Sequence, residues 1–192
     1  MAINEQFYET IRDQVQDGDV VLYKGEAFIS RVIRWAIKSD YSHSGVVVKW
    51  NQRLMVFEAI GAGGVVVSPL SMNVEKYNGA VEWFTSTKEI SEEDRLKMVA
   101  FAQGELGKPF NKISLIILGI ATFFKVRLGS SDKARKATDY FCSSFVATVY
   151  NFIKIDLKKH TPDAYVTPKD LSMSPELQFV AGLKKEEKPH VS

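Results

Sequence analysis

The sequence contains a single cysteine, Cys142, among its 192 residues. One cysteine cannot form a disulfide within the chain, so the predicted fold does not depend on oxidation and suits a reducing compartment. The first residues include acidic side chains and lack the basic segment and the apolar run of a signal peptide. These two absences lead us to expect a cytoplasmic protein.

Strong charge and long apolar runs are also missing. The formal net charge is only +2, which does not predict the basic face that nucleic-acid binding requires. The most apolar run, residues 113–124, is shorter than the about 20 residues that cross a bilayer. We expect no nucleic-acid partner, and we expect residues 113–124 to be buried or to contact a lipid or a membrane surface.

Motifs for metals and cofactors are scarce as well. One cysteine and three scattered histidines provide no pair of ligands at the spacing of a helix or a zinc knuckle. The G-x-S-x-G elbow and the phosphate-binding glycine loop are absent from the sequence. We therefore predict neither a metal nor a cofactor.

The length and composition fit one globular domain, with 45% hydrophobic and 25% charged residues. An N-terminal helix is predicted over residues 1–16, because an apolar residue recurs at every fourth position: Ile3, Phe7, Ile11 and Val15. The main domain is predicted over residues 17–182. The charged residues 183–192 are expected to be a disordered tail.

Four consecutive segments are rich in valine, isoleucine and aromatic residues and are separated by Asn or Gly turns, which predicts β-strands. These segments are residues 43–50, 53–60, 65–70 and 80–86. Short connections favour antiparallel pairing. Helices are predicted for residues 26–40, where apolar residues recur at helical spacing, for residues 92–106, and around Cys142. The pattern predicts an α+β fold with an antiparallel sheet packed against helices.

Cys142 lies in the segment YFCSSFV, where Asp139 or Thr138 is a suitable N-cap. In the first turn of a helix, the unpaired amides and the positive end of the dipole stabilise a thiolate. Cys142 also shares a helix face with Phe145 and Val149. An unpaired cysteine on such a face is more often a core residue than a nucleophile, so the helix alone does not decide between these roles.

A thiolate nucleophile needs a group that accepts and returns a proton, and histidine is the usual choice near neutral pH. His190 lies in the predicted tail, and His160 follows two lysines at the predicted end of the cysteine helix. His43 instead opens a strand, in DYSHSGVVV. This position makes His43 the candidate base.

Glu58 is the candidate that orients His43, because it interrupts the otherwise apolar strand LMVFEAI. If Asn51 and Gln52 form a two-residue turn, Glu58 lies opposite Gly45 and diagonal to His43 on one sheet face. Diagonal neighbours are roughly 7–8 Å apart, within reach of two long side chains. We expect both residues to face a groove that they share with Cys142.

Several motifs also resemble a known family. GDVVLYKG, YSHSGVVV, VFEAIGAGGVVVSPL, LGKPFN, YFCSSFV and TPKDLSMSP occur in the order seen in the permuted papain-like cysteine hydrolases of the NlpC superfamily, the YiiX/YaeF-like group. The resemblance spans residues 17–180. It implies a circularly permuted papain-like fold with a cysteine at the N-terminus of a core helix, and it gives Cys142, His43 and Glu58 the roles already proposed for them. The chain has Phe110-Asn111 where relatives often have Tyr-Asp.

The predicted activity is that of a cysteine amidohydrolase or peptidase, which forms a thioester with its substrate through a Cys-His-Glu triad. The expected substrate is a peptide, an amino-acid conjugate or a cell-wall fragment. The residues predicted to bind it are Tyr41, Ser44, Gly61 and Tyr140.

Two alternatives remain open. One is an acyltransferase or lipase on the same fold, with residues 113–124 as its acyl or membrane surface. The Asn-Cys-Glu-His signature of the lecithin–retinol acyltransferase group is absent, since Ser143 follows Cys142. The other alternative is a non-catalytic binding module.

Overall fold

The computed structural model describes residues 5–60, 64–108 and 142–184. The described strands are β1 (Glu5–Phe7), β2 (Val20–Gly25), β3 (His43–Trp50), β4 (Arg53–Ile60), β5 (Gly64–Pro69), β6 (Gly79–Ser86) and β7 (Leu177–Lys184). The described α-helices are α1 (Tyr8–Ile11), α2 (Phe28–Ile37), α3 (Leu70–Lys76), α4 (Glu92–Gly104), α5 (Cys142–Phe152) and α6 (Pro168–Ser172). Short 3-10 helices follow at Arg12–Gln14 and Asp163–Tyr165.

The described strands form one seven-stranded sheet in the order β1-β7-β6-β2-β3-β4-β5. Strand β1 pairs in parallel with β7, and every other neighbouring pair is antiparallel. Helices pack on both faces of this sheet. The α+β architecture predicted from the sequence is therefore confirmed.

The β3–β4 hairpin has the register on which the site depends. Its two turn residues, Asn51 and Gln52, have φ values of 49° and 65°, the left-handed conformation that a two-residue type I′ turn requires. Trp50 pairs with Arg53 at the end of this ladder. A slip of one residue would have turned every later side chain of β4 to the other face.

Two hydrophobic clusters cover the two faces of the sheet. The first contains Val46 and Phe57 of the sheet together with Phe145 of α5. The second contains Val47 and Val56 of the same two strands together with residues from α1 and α3. Burying one side chain of this size contributes about 1.5–3 kcal/mol, so the helices on both faces hold the β3–β4 hairpin in place.

The N-terminal segment differs from the predicted continuous helix. Glu5–Phe7 forms β1, and the α-helix that follows is only Tyr8–Ile11. Ile11 and Val15 are buried, as the four-residue period indicates, but Phe7 is 46% exposed. The pairing of β1 with β7, which lies at the far end of the chain, overrides the local helical pattern.

The predicted C-terminal tail, residues 183–192, also begins differently. Strand β7 continues to Lys184, and Leu183 is buried. The sheet therefore includes the first residues of that segment. Ile3 and residues 185–192 lie outside the described residues.

Candidate active site

His43 and Glu58 are in direct contact across the β3–β4 pair. The Nε2 atom of His43 lies 2.6 Å from Oε2 of Glu58. Gly45 leaves room for this contact, because a Cβ atom there would lie 2.8 Å from Cγ of Glu58 and 2.5 Å from Cγ1 of Val56. The glycine thus lets the glutamate side chain lean across β3 toward the histidine.

The second carboxylate oxygen of Glu58 is held by side chains from three other elements. The amide Nδ2 of Asn73 in α3 donates to Oε1 at 2.8 Å. The hydroxyls of Tyr23 in β2 and Ser68 in β5 each donate to the same oxygen at 3.3 Å. Both oxygens of the carboxylate therefore have partners, and its orientation is fixed.

These contacts keep Glu58 ionised although it is buried. Burial raises the pKa of this carboxyl, whereas its hydrogen bond with His43, the charge of His43 and the hydrogen bond from Asn73 lower it. The net effect places the pKa of Glu58 below its usual value. A negative charge thus faces the His43 ring at neutral pH.

Cys142 is the first residue of α5 and is 7% exposed. Burial raises the pKa of its thiol, but the charge of His43, the hydrogen bond with His43 and the backbone amide of Ser44 lower it, and the net pKa is lowered. These partners stabilise the thiolate more than burial destabilises it.

The pKa of His43 moves in the opposite direction. Burial lowers it, while the charge of the Cys142 thiolate and hydrogen bonds to Cys142 and Glu58 raise it, to about 10. A lowered thiol pKa beside a raised imidazole pKa means that the proton resides on His43. These opposite directions favour an imidazolium–thiolate pair over the neutral pair.

The two partners of His43 come from opposite faces of the sheet. Alternation places Glu58 on the face of Val56, and Asn73 reaches Glu58 from α3 on that side. Helix α5, which begins at Cys142, packs on the other face. His43 bridges the two because it is the first residue of β3, at the end of the sheet. Cys142 at the start of α5 nevertheless forms a hydrogen bond with His43, and a groove shared by all three residues stays a prediction.

Two of the predicted substrate-binding residues are within the described structure. The hydroxyl of Tyr41 donates to Oε2 of Glu82 at 2.5 Å, and Nζ of Lys24 lies 2.6 Å from the other oxygen of Glu82. Ser44 is fully buried next to Cys142. A direct role of Tyr41 or Ser44 in binding substrate stays a prediction.

The other predicted contacts fall outside the described residues. They are Gly61, Tyr140, the Phe110-Asn111 pair, the apolar residues 113–124 and the proposed N-caps Thr138 and Asp139.

Sequence reasoning missed the residues that support Glu58. The sequence gives a weak indication that Tyr23 lies near the site, because Tyr23 is on the strand before β3 and pairs directly with His43. The sequence gives no such indication for Asn73 and Ser68. They lie on α3 and β5, and the alternation of side chains in β3 and β4 does not show which residues of these elements reach Glu58.

Two features are absent from the described residues. Within residues 5–60, 64–108 and 142–184, no group of three or more His, Cys, Asp or Glu side chains is arranged to hold a metal ion. None of the helices in these ranges combines the length and the hydropathy needed to cross a membrane.

The fold and the sequence both match proteins called YiiX. A solved structure titled "metalloprotein yiiX from Escherichia coli O157:H7" superposes with a TM-score of 0.64 at 23% identity, over 91% of this chain and 99% of that one. At this identity the likeness shows the fold alone. A protein of Escherichia coli K12 described as "Uncharacterized protein YiiX" is 33% identical over 101 residues, which are 51% of this chain and 48% of that protein. The match thus spans about half the length of this relative.

A family profile gives the assignment. The profile described as "Permuted papain-like amidase enzyme, YaeF/YiiX, C92 family" matches residues 14–115, more than half of the chain. The matched range includes His43 and Glu58 and ends before Cys142. The role of Cys142 is therefore inferred from its contact with His43 and not from this match. This chain belongs to the permuted papain-like amidases of the YaeF/YiiX, C92 family.

Proposed function

We propose that this protein is a cysteine amidase in which Cys142 is the nucleophile, His43 the acid and base, and Glu58 the residue that orients His43. The observation that carries the proposal is the continuous series of contacts from Cys142 through His43 to Glu58. A nucleophile, a base and an orienting carboxylate in this order are the minimal set for acyl transfer by a thiolate.

In the first half of the reaction, the Cys142 thiolate attacks the carbonyl carbon of the amide. Negative charge develops on the carbonyl oxygen, and the positive end of the α5 dipole beside Cys142 is suited to stabilise it. When the tetrahedral intermediate collapses, the carbon–nitrogen bond breaks and the imidazolium of His43 gives its proton to the departing amine. The acyl group remains on sulfur as a thioester.

In the second half, neutral His43 accepts a proton from water, and the resulting hydroxide attacks the thioester. The carbon–sulfur bond breaks, the carboxylic acid leaves, and the thiolate and imidazolium are restored. Glu58 transfers no proton in this scheme. It fixes the ring of His43 and stabilises its positive charge, as its lowered pKa and its four hydrogen-bonding partners allow.

The substrate that we propose is an amide in a peptide, an amino-acid conjugate or a cell-wall fragment. A second candidate is an acyltransferase or lipase activity on a lipid-linked acyl group, which is favoured by the exposed apolar side chains of α2, including Phe28 and Trp35. A binding module without catalysis would not need the Cys142 pKa to be lowered.

No step of this mechanism uses a metal. One of the similar structures is titled a metalloprotein, but the described residues of this chain contain no cluster of metal-binding side chains. A cytoplasmic location and the absence of a nucleic-acid partner stay predictions.

Intact-protein mass spectrometry tests the proposal. The protein is incubated with a panel of peptide amides, N-acyl amino acids and lipid acyl esters, and the mass of any acyl adduct is recorded and mapped to a residue. We expect an adduct on Cys142 that disappears in Cys142→Ala. Ser143→Ala is the matched control, because Ser143 is adjacent and bonds the backbone oxygen of Val166, and it should retain the adduct. Amide cleavage that survives Cys142→Ala would contradict the proposal.

A further inference from the structure

Helix α2 is amphipathic, but its apolar side faces away from the protein. Phe28 is 82% exposed, Trp35 70% and Ile29 65%. None of the ten residues of α2 is buried. In most globular proteins the apolar stripe of such a helix faces the core. In α2 the largest apolar side chains instead face the solvent, and only Ile33, Ala36 and Ile37 of its apolar residues are half-buried.

The polar side of α2 attaches the helix to the domain. Nη1 of Arg34 donates to the backbone oxygen of Asp40 at 3.5 Å, and Nη2 lies 3.9 Å from Oε1 of Glu26. Ser30 packs against Gly25, where an added Cβ would lie 2.5 Å from its Oγ. These contacts and the half-buried Ile33 and Ile37 form the inner side of the helix, which leaves Phe28 and Trp35 on the outer side.

The charges of α2 are all of one sign. From Phe28 to its C-cap Lys38, the chain contains Arg31, Arg34 and Lys38 and no acidic residue. Arg31 and Lys38 are exposed, and helical spacing places both at the border of the apolar side. Phe and Trp on one side of a helix with Lys and Arg beside them is the pattern of helices that lie in the headgroup region of a membrane.

The charge of this surface favours an anionic lipid over a protein partner. Arg31 and Lys38 border the exposed apolar side chains and complement anionic headgroups, whereas Arg34 is engaged by Asp40 and Glu26. A lipid surface, unlike a stable protein interface, needs no matched area of about 800 Å² from each partner.

We propose that α2 docks on an anionic lipid surface, with Phe28, Ile29, Val32 and Trp35 inserted at the boundary between headgroups and acyl chains. Arg31 and Lys38 would contact the headgroups. This inference does not depend on the proposed amidase activity.

The docking surface is close to the candidate site. Ser30 of α2 and Ser42, next to His43, both form hydrogen bonds with Tyr77. The ring of Tyr77 lies 4.8 Å from that of Tyr23, which bonds Glu58. The inner side of α2 therefore contacts the residues that support the site, and a membrane bound at α2 would lie on the outer side of the same helix.

Sedimentation with vesicles tests the proposal. The full chain is mixed with vesicles of phosphatidylcholine alone, or of phosphatidylcholine and phosphatidylglycerol in equal parts. We expect binding to the anionic vesicles that weakens with salt. Phe28→Ser and Trp35→Ser should each weaken it by about tenfold, the loss expected for one large apolar side chain. Leu96→Ser, at a residue that is 62% exposed on α4, is the matched control and should bind normally.

Two charge-reversal variants and a fluorescence measurement complete the test. Arg31→Glu should weaken binding by about fivefold for each unit of charge, whereas Arg53→Glu, at an exposed position of β4, should change it little. In the Trp50→Phe protein, the exposed Trp35 should shift its emission to the blue on adding anionic vesicles, since Trp83 is already buried.

Three results would overturn the proposal. One is no binding to anionic vesicles by a folded protein, as judged by circular dichroism. Another is binding that Phe28→Ser and Trp35→Ser leave unchanged. The third is a dimer in solution that these two variants convert to a monomer, because it would assign the surface to a second copy of the chain.

Discussion

The Glu58→Gln substitution tests whether the carboxylate holds the charge of His43. It preserves the size of the side chain and an acceptor oxygen, but it replaces a charge-assisted hydrogen bond of 2.6 Å with a neutral one. Hydrogen bonds to charged groups contribute about 1.5–3 kcal/mol and neutral ones about 1 kcal/mol. The difference of about 1–2 kcal/mol corresponds to roughly one pKa unit, so the pKa of His43 should fall from about 10 by about that amount.

The assay is alkylation of Cys142 by iodoacetamide as a function of pH, followed by mass spectrometry. In the wild type, the lowered thiol pKa means that the rate should already be high at neutral pH. The rate falls only as the pH drops through that pKa and the thiolate is protonated. In Glu58→Gln the imidazolium is less stable, so the fall should occur at higher pH.

The pKa of His43 sets the alkaline limit of turnover. Above about pH 10, His43 loses the proton that the leaving amine requires, so amide hydrolysis should decline while alkylation continues. In Glu58→Gln this decline should begin about one pH unit lower. A wild-type alkylation rate that rises only near pH 8.5, the value of an ordinary thiol, would refute the ion-pair reasoning. So would identical profiles for the two proteins.

Three further substitutions test other parts of the site. Gly45→Ala should lower the free energy of unfolding by about 1–3 kcal/mol through overpacking and reduce turnover by displacing Glu58. Gly104→Ala, in helix α4 with no atom within 4 Å of the added Cβ, should leave turnover unchanged and should not lower stability; equal melting temperatures for the two variants would contradict the steric argument. Asn73→Ala removes the 2.8 Å donor to Glu58, so the pKa of Glu58 should rise and the acid limb of the turnover profile should move to higher pH, and an unmoved limb would show that Asn73 does not support the carboxylate. A Cys142→Ala, Glu58→Gln double variant should be no less active than Cys142→Ala alone, because residues that act as one unit are not additive; additive losses would show separate roles.

Much of the sheet and part of the site follow from local sequence. The alternation in β3 and β4, with a two-residue turn at Asn51 and Gln52, gives the strands, the register and the contact of His43 with Glu58. These features are predictable because turn length and a period of two determine which side chains share a face.

Other features depend on contacts that local patterns do not encode. Asn73 reaches Glu58 from a separate helix, and β1 pairs with a strand from the far end of the described chain. The apolar period of α2 predicts a helix correctly, but period alone does not say whether Phe28 and Trp35 face the core or the solvent. That orientation depends on tertiary contacts, among them those of Arg34 and Ser30.

The placement of Glu58 and α5 on opposite faces of the sheet separates two tasks of the site. The network of Glu58 with Asn73, Tyr23 and Ser68 lies on one side of the sheet, and the cysteine helix packs on the other. Substitutions around α5 can therefore reshape what binds beside Cys142 without disturbing the hydrogen bonds that orient His43. The sheet thus separates the hydrogen bonds that orient the base from the helix that carries the nucleophile, so the two parts of the site can be altered independently by substitution in this chain.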